Sequence, residues 1–361
     1  MYLGTAIRKE TRAEILSRGE AIAFQLEGRI RRAVLAALNE MTDEVTLRQI
    51  VTLLESGKAG DILALIDTSK LGGAIESIKA EFVAAVAAAG ANAARAPVLR
   101  GVGFMFDVLN PRLVDWMQQY SFGLVRDIDA GTKEGIRAAL VQGMAEGKGP
   151  LDTARQVRSV VGLTERQAKA VLNYRKELET FHLRRTGGGY NVGGKIDRVH
   201  GTQVYRPLED GTPKDGITER RLRDFRYDGQ LNRAMESKTP LKPEQIDKMV
   251  AAYQRKYLKH RAETIARTES IRANNIGVLD AWRQAIASGK IPEAQVRKSW
   301  LVARDERLCK VCQPIPGLNP KMGLPLGQAF QTPKGPIVAP PIHPSCRCAL
   351  NVRMYETHEL A

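Results

Sequence analysis

The four cysteines of this 361-residue chain are confined to two short C-terminal segments, DERLCKVC and PPIHPSCRC. The first segment holds a Cys-x-x-Cys pair, and the second holds a His-x-x-Cys pair followed by one more cysteine. A tetrahedral Zn²⁺ site takes four soft or borderline ligands, usually as two close pairs from two turns. The spacing therefore predicts a zinc site. Its candidate ligands are Cys309, Cys312, His343, Cys346 and Cys348.

Two sets of four ligands fit these five residues. One set takes the two pairs with the matching two-residue spacing and leaves Cys348 out, and this match favours it. The other set takes all four cysteines and leaves His343 to orient the second turn through a hydrogen bond. The segment between the pairs is rich in proline and glycine and has little apolar material for a core. A bound metal can hold such a segment together.

Three other interpretations of the cysteines account for fewer residues. Disulfides need an oxidising compartment, and the start of the chain, MYLGTAIRKETRAEIL, lacks a signal-peptide pattern, so we expect synthesis in a reducing one. A redox Cys-x-x-Cys usually opens a helix, which the continuation QPIP after Cys312 disfavours. A cysteine nucleophile served by His343 would leave three cysteines without a role. A structural metal site is the interpretation that uses the most of them.

Helical spacing of apolar residues dominates the chain from Ala6 to Gly149. Asp43 is predicted to cap a second helix that ends at Gly57, and the segment LNPRLVDWMQQYSFGLVRDIDAGTKEGIRAALVQGMAEGKGP is predicted to form a helical hairpin. Thr164 is a predicted N-cap further on, a long helix begins at PEQID, and VRKSWLVARDERLC predicts a short strand entering a turn. The chain is therefore expected to be mainly α, with an elongated helical body and a small, loop-rich α+β module at the C-terminus, closed by a zinc knuckle.

A segment rich in glycine and charge, RRTGGGYNVGGKIDRVHGTQVYRPLEDGTPKDG, interrupts the helical pattern. It predicts an exposed loop or a small hairpin insertion. No strand precedes its glycines and no Gly-Lys-Ser/Thr follows them, which disfavours a phosphate-binding loop. Five segments are expected: a helical region of unknown role (1–105), a second helical part (106–183), the Gly-rich insertion (184–217), a helical core (218–290) and the Cys/His module (291–361).

The formal net charge of +15 favours polyanionic partners such as nucleic acid or an acidic protein surface. The excess grows toward the C-terminal half, but charge alone does not establish specific binding. The most apolar run, EFVAAVAAAGANAARA, is alanine-rich and soon broken by charge, so no membrane span is expected.

The segment RAETIARTES lies on a predicted helix. Arg267 follows Glu263 by four residues and can pair with it, whereas Glu269 lies two beyond Arg267 and faces elsewhere. A catalytic interpretation would make one of these glutamates a general base beside Arg267. A structural network that locks the helix to the C-terminal module is favoured, because no second acid, serine nucleophile or phosphate loop accompanies them. Trp282 and Trp300 are predicted to be core residues.

Four C-terminal motifs occur in a fixed order: RAETIARTES, GVLDAW, SWLVARDERLCKVC and PPIHPSCRC. In order and spacing they resemble the conserved signature of the phage Mu protein F-like minor head proteins, also called the phage head morphogenesis family. Upstream pieces such as NPRLVDWMQQY and GLTERQAKAVLNYRKELE look like the helical part of these proteins. The resemblance covers about Asn110 to Arg353 and leaves the first hundred residues outside it.

The resemblance implies a minor structural component of a tailed-phage head, present in few copies at or near the portal vertex, which assists capsid assembly and DNA packaging or ejection. It implies no enzymatic activity and no small-molecule substrate. The expected partners are the portal protein, capsid or scaffold proteins, and double-stranded DNA bound without sequence preference. The expected location is the host cytoplasm during assembly and then the capsid interior.

Two alternative functions stay open. One is an enzyme acting on nucleic acid or nucleotide, such as a nuclease or an ADP-ribosyltransferase-like toxin, because the family's domain can be joined to such domains. The other is a zinc-ribbon DNA-binding protein.

Overall fold

The computed structural model describes residues 11–65, 72–183, 196–197, 202–203, 222–303, 305–306 and 308–359. The described part is mainly helical, as the sequence predicts. Its α-helices are α1 (Arg12–Glu44), α2 (Leu47–Glu55), α3 (Gly72–Ala93), α4 (Pro97–Gly101), α5 (Pro111–Ala145), α6 (Pro150–Arg158), α7 (Glu165–Glu179), α8 (Asp228–Ser237) and α9 (Pro243–Ala287). Short 3₁₀ turns lie at Ala59–Leu65, Phe181–Leu183, Phe225–Tyr227, Glu293–Gln295, Ile315–Leu318 and Thr357–Glu359.

Four strands form two separate antiparallel pairs within the described residues. They are β1 (Ile196–Asp197), β2 (Thr202–Gln203), β3 (Val296–Leu301) and β4 (Ala349–Met354). The β1–β2 pair lies inside the segment predicted to be a loop or a small hairpin insertion, most of which is outside the described residues. The β3–β4 pair confirms the predicted strand and builds the C-terminal module.

The helix beginnings follow from local capping, with one correction. Thr164 caps α7 through a capping box with Gln167, as expected for its position. The cap of α2, however, is Thr46, whose hydroxyl accepts a hydrogen bond from the backbone N–H of Gln49. The predicted cap Asp43 instead lies in the last turn of α1, which continues through residue 44.

The predicted helical hairpin after residue 110 is wrong. Residues Pro111–Ala145 form one continuous helix of 35 residues, α5. Glycines such as Gly131 and Gly135 lie inside this helix, and each costs only about 1 kcal/mol relative to alanine, which does not end it. Thr132 and Ile136 are completely buried along this helix, so packing offsets that cost.

The chain packs as two compact units. The C-terminal unit takes in the described residues among 1–37, 72–126 and 262–361, and the central unit takes in those among 38–71 and 127–261. The boundary falls within α1, α5 and α9. The division follows packing alone, so the five segments expected from composition remain a prediction.

The core of the C-terminal unit surrounds β3 and the second half of α9. Trp282 and Trp300 are each 4% exposed and belong to this core, as predicted. The ring of Trp300 meets that of Phe330 edge-on at 5.4 Å. Gly277 of α9 lies so close to α3 that an added Cβ would come within 2.7 Å of Ala89 Cβ. Only a glycine allows the two helices to approach this closely.

The core of the central unit includes α6, α7 and the first half of α9. Tyr174 and Tyr253 pack with ring centres 4.8 Å apart. Gln254 donates to the carbonyl of Val161 at 3.0 Å, which satisfies a backbone group after α6. Within the described residues, no helix is both long and apolar enough to cross a bilayer.

Candidate metal centre

The β3–β4 pair brings the two cysteine segments to one place. The ladder ends where Leu301 faces Ala349. The chain leaving β3 and the chain entering β4 therefore lie at the same end of the pair. The first segment then turns at 310–314, and the second bends at 342–345 before it reaches β4. Antiparallel pairing thus places the two ligand turns side by side.

The donor atoms of four predicted ligands converge. The Sγ atoms of Cys309 and Cys312 each lie 3.1 Å from Nε2 of His343. The Sγ atoms of Cys312 and Cys346 are 3.7 Å apart. Two sulfurs bound at about 2.3 Å to one tetrahedral ion would be separated by about 3.8 Å, whereas a disulfide holds them at about 2.05 Å. The four cysteines are free thiols, and their spacing fits a shared metal better than a disulfide.

The imidazole of His343 is oriented for metal binding. Its Nδ1 lies 2.8 Å from the carbonyl oxygen of Pro344. A carbonyl only accepts hydrogen bonds, so Nδ1 carries the proton and Nε2 presents its lone pair to the sulfurs of Cys309 and Cys312. A backbone carbonyl holding the second nitrogen is the usual support of a ligating histidine. This favours His343 as a ligand over a role limited to orienting the turn.

Cys348 adds a fifth donor to the group. Its Sγ lies within 4.8 Å of the sulfurs of Cys312 and Cys346, and all three residues are buried. All five predicted site residues are therefore brought together. The group is compatible with a zinc site and contains one donor more than a tetrahedral ion takes.

The neighbouring thiols and the imidazole shift one another's pKa values. The hydrogen bond between Cys312 and Cys346 lowers the pKa of Cys346 and raises the pKa of Cys312. Burial raises the pKa of Cys309, but the backbone N–H of Cys312 and other neighbours lower it by more. Burial lowers the pKa of His343, while Pro344 and the neighbouring sulfurs raise it overall. A divalent cation bound here would balance the negative charge of deprotonated cysteines.

Contacts outside the donor set hold the two turns together. The guanidinium of Arg347, in the second segment, donates to both carboxylate oxygens of Asp305, in the first. Such a bidentate pair fixes orientation as well as distance. The backbone N–H of Ser345 donates to the hydroxyl of Thr268 in α9 at 2.9 Å, which fastens the second turn to the helix.

Asn275 of α9 joins the same helix to the chain on both sides of the second turn. Its Nδ2 donates to the carbonyls of Pro340 and Cys348, and its Oδ1 accepts the backbone N–H of Leu350 at 2.8 Å. Asn275 and Thr268 were not singled out in the sequence. They are seven residues apart, two helical turns, so they lie on one face of α9 together with the buried apolar residues Ile271, Leu279 and Trp282. Two polar residues at this spacing on an apolar face are the signal that could have identified them.

Arg261, the first residue of RAETIARTES, is a buried structural residue of the central unit. Its guanidinium donates to the carbonyls of Gly162 at 2.6 Å and Ile128 at 3.0 Å, and to the hydroxyl of Thr132 at 3.1 Å. Burial lowers the pKa of Arg261 to about 10. Three acceptors around one guanidinium explain why the cation is tolerated there.

The two glutamates of RAETIARTES have separate structural partners. Glu263 lies 3.8 Å from Arg31 of α1, rather than pairing with Arg267 as expected. Glu269 is buried and accepts a short 2.6 Å hydrogen bond from the hydroxyl of Tyr120. The hydrogen bonds that join α9 to the ligand turns come from Thr268 and Asn275 and not from these glutamates.

Comparison of the chain with protein-family models, with curated proteins and with solved structures found no match. The likeness in the four C-terminal motifs therefore stays a resemblance.

Proposed function

We propose that the protein is a minor structural protein of a tailed-phage head, whose C-terminal module is closed by one structural Zn²⁺. The observation that carries the proposal is the convergence of Cys309, Cys312, His343 and Cys346. Their two segments are also two of the four motifs that resemble the head morphogenesis proteins.

The donor set supports a structural role for the metal. Catalytic zinc sites keep a position open for water or substrate, whereas structural sites are filled by four protein ligands. The five donors form two groups of three that share Cys312, so enough protein groups are present to fill every position of a tetrahedral ion. Zinc would supply the cross-link here, and the chain supplies the turns that aim the sulfurs.

The surroundings of the group support the same role. Apart from β3 and β4, the module consists mostly of turns, bends and 3₁₀ helix in its described residues. The sulfurs of Cys312, Cys346 and Cys348 belong to the same core as Trp300 and Phe330. A metal in this position would cross-link two turns that are about thirty residues apart in the chain.

A non-enzymatic role is part of the proposal. The glutamates considered as general bases, Glu263 and Glu269, lie against Arg31 and Tyr120. Both arrangements are typical of packing between helices, and neither places a second acid or a nucleophile beside the carboxylate.

The remaining parts of the proposal rest on the resemblance and on charge. The chain would lie inside the capsid near the portal vertex, in contact with portal and capsid or scaffold proteins. The formal net charge of +15 is suited to contact with packaged double-stranded DNA without sequence preference.

Metal analysis tests the zinc part. Elemental analysis of purified protein should find about one Zn per chain, and the double variant Cys309→Ser/Cys346→Ser should contain none. Cys348→Ser is the matched control, because it removes a sulfur from the same group while leaving the favoured four ligands. Metal-free wild-type protein would contradict the zinc proposal. Loss of zinc in Cys348→Ser together with its retention in His343→Ala would instead assign all four cysteines as ligands.

Particle analysis tests the head-protein part separately. Mass spectrometry of intact phage particles whose genome encodes the chain should detect it in low copy number. Absence from both immature and mature heads would contradict the proposal, whatever the metal content of the isolated protein.

A further inference from the structure

The central unit contains a cavity of about 500 Å³ that is partly open to solvent. Its walls come from the end of α1, the start of α2, and helices α6, α7 and α9. Among the described residues that line it, arginines outnumber aspartates by four to two, an excess of two positive charges. These charged residues are Arg155, Arg158, Arg175, Arg255, Asp43 and Asp247.

Arg155 and Arg175, the inner arginines of the cavity, have more hydrogen-bond donors than the surrounding residues supply acceptors. Arg175, with a side chain only 7% exposed, donates from Nη2 to Asp247 Oδ1 at 2.6 Å. Nε of Arg155 lies 3.3 Å from Asp247 Oδ2, but its N–H does not point at that oxygen. The Nε atoms of both arginines are buried and have no hydrogen-bond acceptor in the described structure. Arg155 also donates from Nη1 to Asp152 Oδ1 at 3.1 Å, outside the cavity lining. These two carboxylates still leave the buried Nε donors of both arginines unsatisfied.

The outer arginines carry uncompensated charge. Arg158 of α6 and Arg255 of α9 are both exposed at the cavity. Neither guanidinium lies within ion-pair distance of a carboxylate in the part of the chain that the structure describes. An anion bound in the cavity would partly neutralise both charges and could accept hydrogen bonds from two planar sets of donors.

We propose that this cavity binds the phosphate groups of a ligand, through the outer arginines and the Arg155–Asp247–Arg175 network behind them. Guanidinium groups bind phosphate oxygens in pairs of parallel hydrogen bonds, so several converging arginines favour a doubly charged or diphosphate group. The volume is within the range of about 300–1,000 Å³ that small-molecule sites occupy. The described lining contains no aromatic ring on which a base could stack, so the phosphate is the part that is recognised.

Two sources of phosphate share this chemistry: a free polyphosphate compound such as a nucleotide, and the backbone of nucleic acid. The site stands on the cavity alone and does not depend on the head-protein proposal or on the metal.

Isothermal titration calorimetry with inorganic pyrophosphate tests the site on the full-length protein. Wild type should bind one pyrophosphate per chain. The variant Arg158→Gln/Arg255→Gln should weaken binding by about 10-fold or more, because it removes charge-assisted hydrogen bonds worth at least about 1.4 kcal/mol together. These side chains lie outside the Asp247 network, so the fold is expected to persist and is checked by circular dichroism.

The matched control is Arg137→Gln/Arg166→Gln, which removes two exposed arginines of the same unit that do not line the cavity. It should change pyrophosphate affinity by less than about twofold. Equal weakening by the two variants, or no pyrophosphate binding by wild type, would overturn the proposal.

A competition experiment then separates the two sources. If pyrophosphate displaces a short fluorescent DNA duplex from wild type, and the cavity variant binds the duplex more weakly than the control does, the site takes backbone phosphates. If the duplex and pyrophosphate bind independently, the site takes a free polyphosphate compound.

Discussion

Lys298 is a buried lysine of the C-terminal unit, and replacing it tests how burial of its charge makes stability depend on pH. It lies in β3 with no exposed surface. Its Nζ donates to the carbonyl of Val338 at 2.9 Å and lies 5.0 Å from the centre of the Phe330 ring. Burial, and to a smaller extent the positive charge of Arg283, lowers the pKa of Lys298 from 10.5 to about 8.

The lowered pKa makes stability depend on pH in a defined direction. Between 10.5 and about 8 the unfolded chain binds a proton that the folded chain does not, so stability is lost as the pH falls through this window. At 1.36 kcal/mol per pKa unit, the full penalty is about 3 kcal/mol and is present below pH 8. At pH 9.5 the same two pKa values give a penalty of only about 1.4 kcal/mol. The penalty therefore shrinks by about 2 kcal/mol between pH 7 and pH 9.5.

The variant Lys298→Met keeps the length of the side chain and removes the titration. Urea unfolding of zinc-loaded wild type and variant should give free energies of unfolding whose difference changes by about 2 kcal/mol from pH 7 to pH 9.5. The hydrogen bond lost at Val338 adds an offset that is the same at each pH. Lys321→Met, at an exposed lysine of the same module, is the control and should follow wild type in parallel. Parallel curves for Lys298→Met as well would refute the claim that burial opposes its charge.

Three further substitutions test contacts of the C-terminal unit, each by urea unfolding. Gly277→Ala would bring a Cβ within 2.7 Å of α3 and should destabilise by about 2 kcal/mol, whereas Gly229→Ala, with open space around it, should change little. Asn275→Ala leaves three backbone groups of the module without a partner and should lower the free energy of unfolding by about 3 kcal/mol. It should also speed the release of zinc to a chelator, and unchanged release would contradict this anchoring role. Tyr120→Phe removes the hydroxyl that donates to buried Glu269 and should cost about 2 kcal/mol, and a loss below about 0.5 kcal/mol would show that the bond contributes little.

Element types could be read from the sequence far better than element ends. The strand at β3 and the cap at Thr164 follow from short-range rules and are confirmed. The predicted start of α2 and the predicted break within α5 were both wrong, and for the same reason. Several residues near each break, such as Asp43 and Thr46, are chemically able to cap or end a helix, and burial of neighbouring turns decides between them.

The candidate metal centre was predictable as a set of residues but not as a geometry. Two-residue spacing identifies Cys309, Cys312, His343 and Cys346 because each turn can aim two side chains at one point. Spacing does not say whether Nε2 of His343 faces the sulfurs, since that depends on the carbonyl that holds Nδ1. Spacing also does not say whether Cys348 is one of the four ligands or an additional nearby sulfur.

The sequence by itself determined the helical character of the chain and the residues able to bind a metal. Both depend on periods and spacings of a few residues, which local backbone geometry imposes. Only the tertiary structure decided that Thr268 and Asn275 hold the ligand turns, and that Arg158 and Arg255 line one cavity. These residues are far apart in the chain, and their contacts exist because buried polar groups must find partners wherever packing places them.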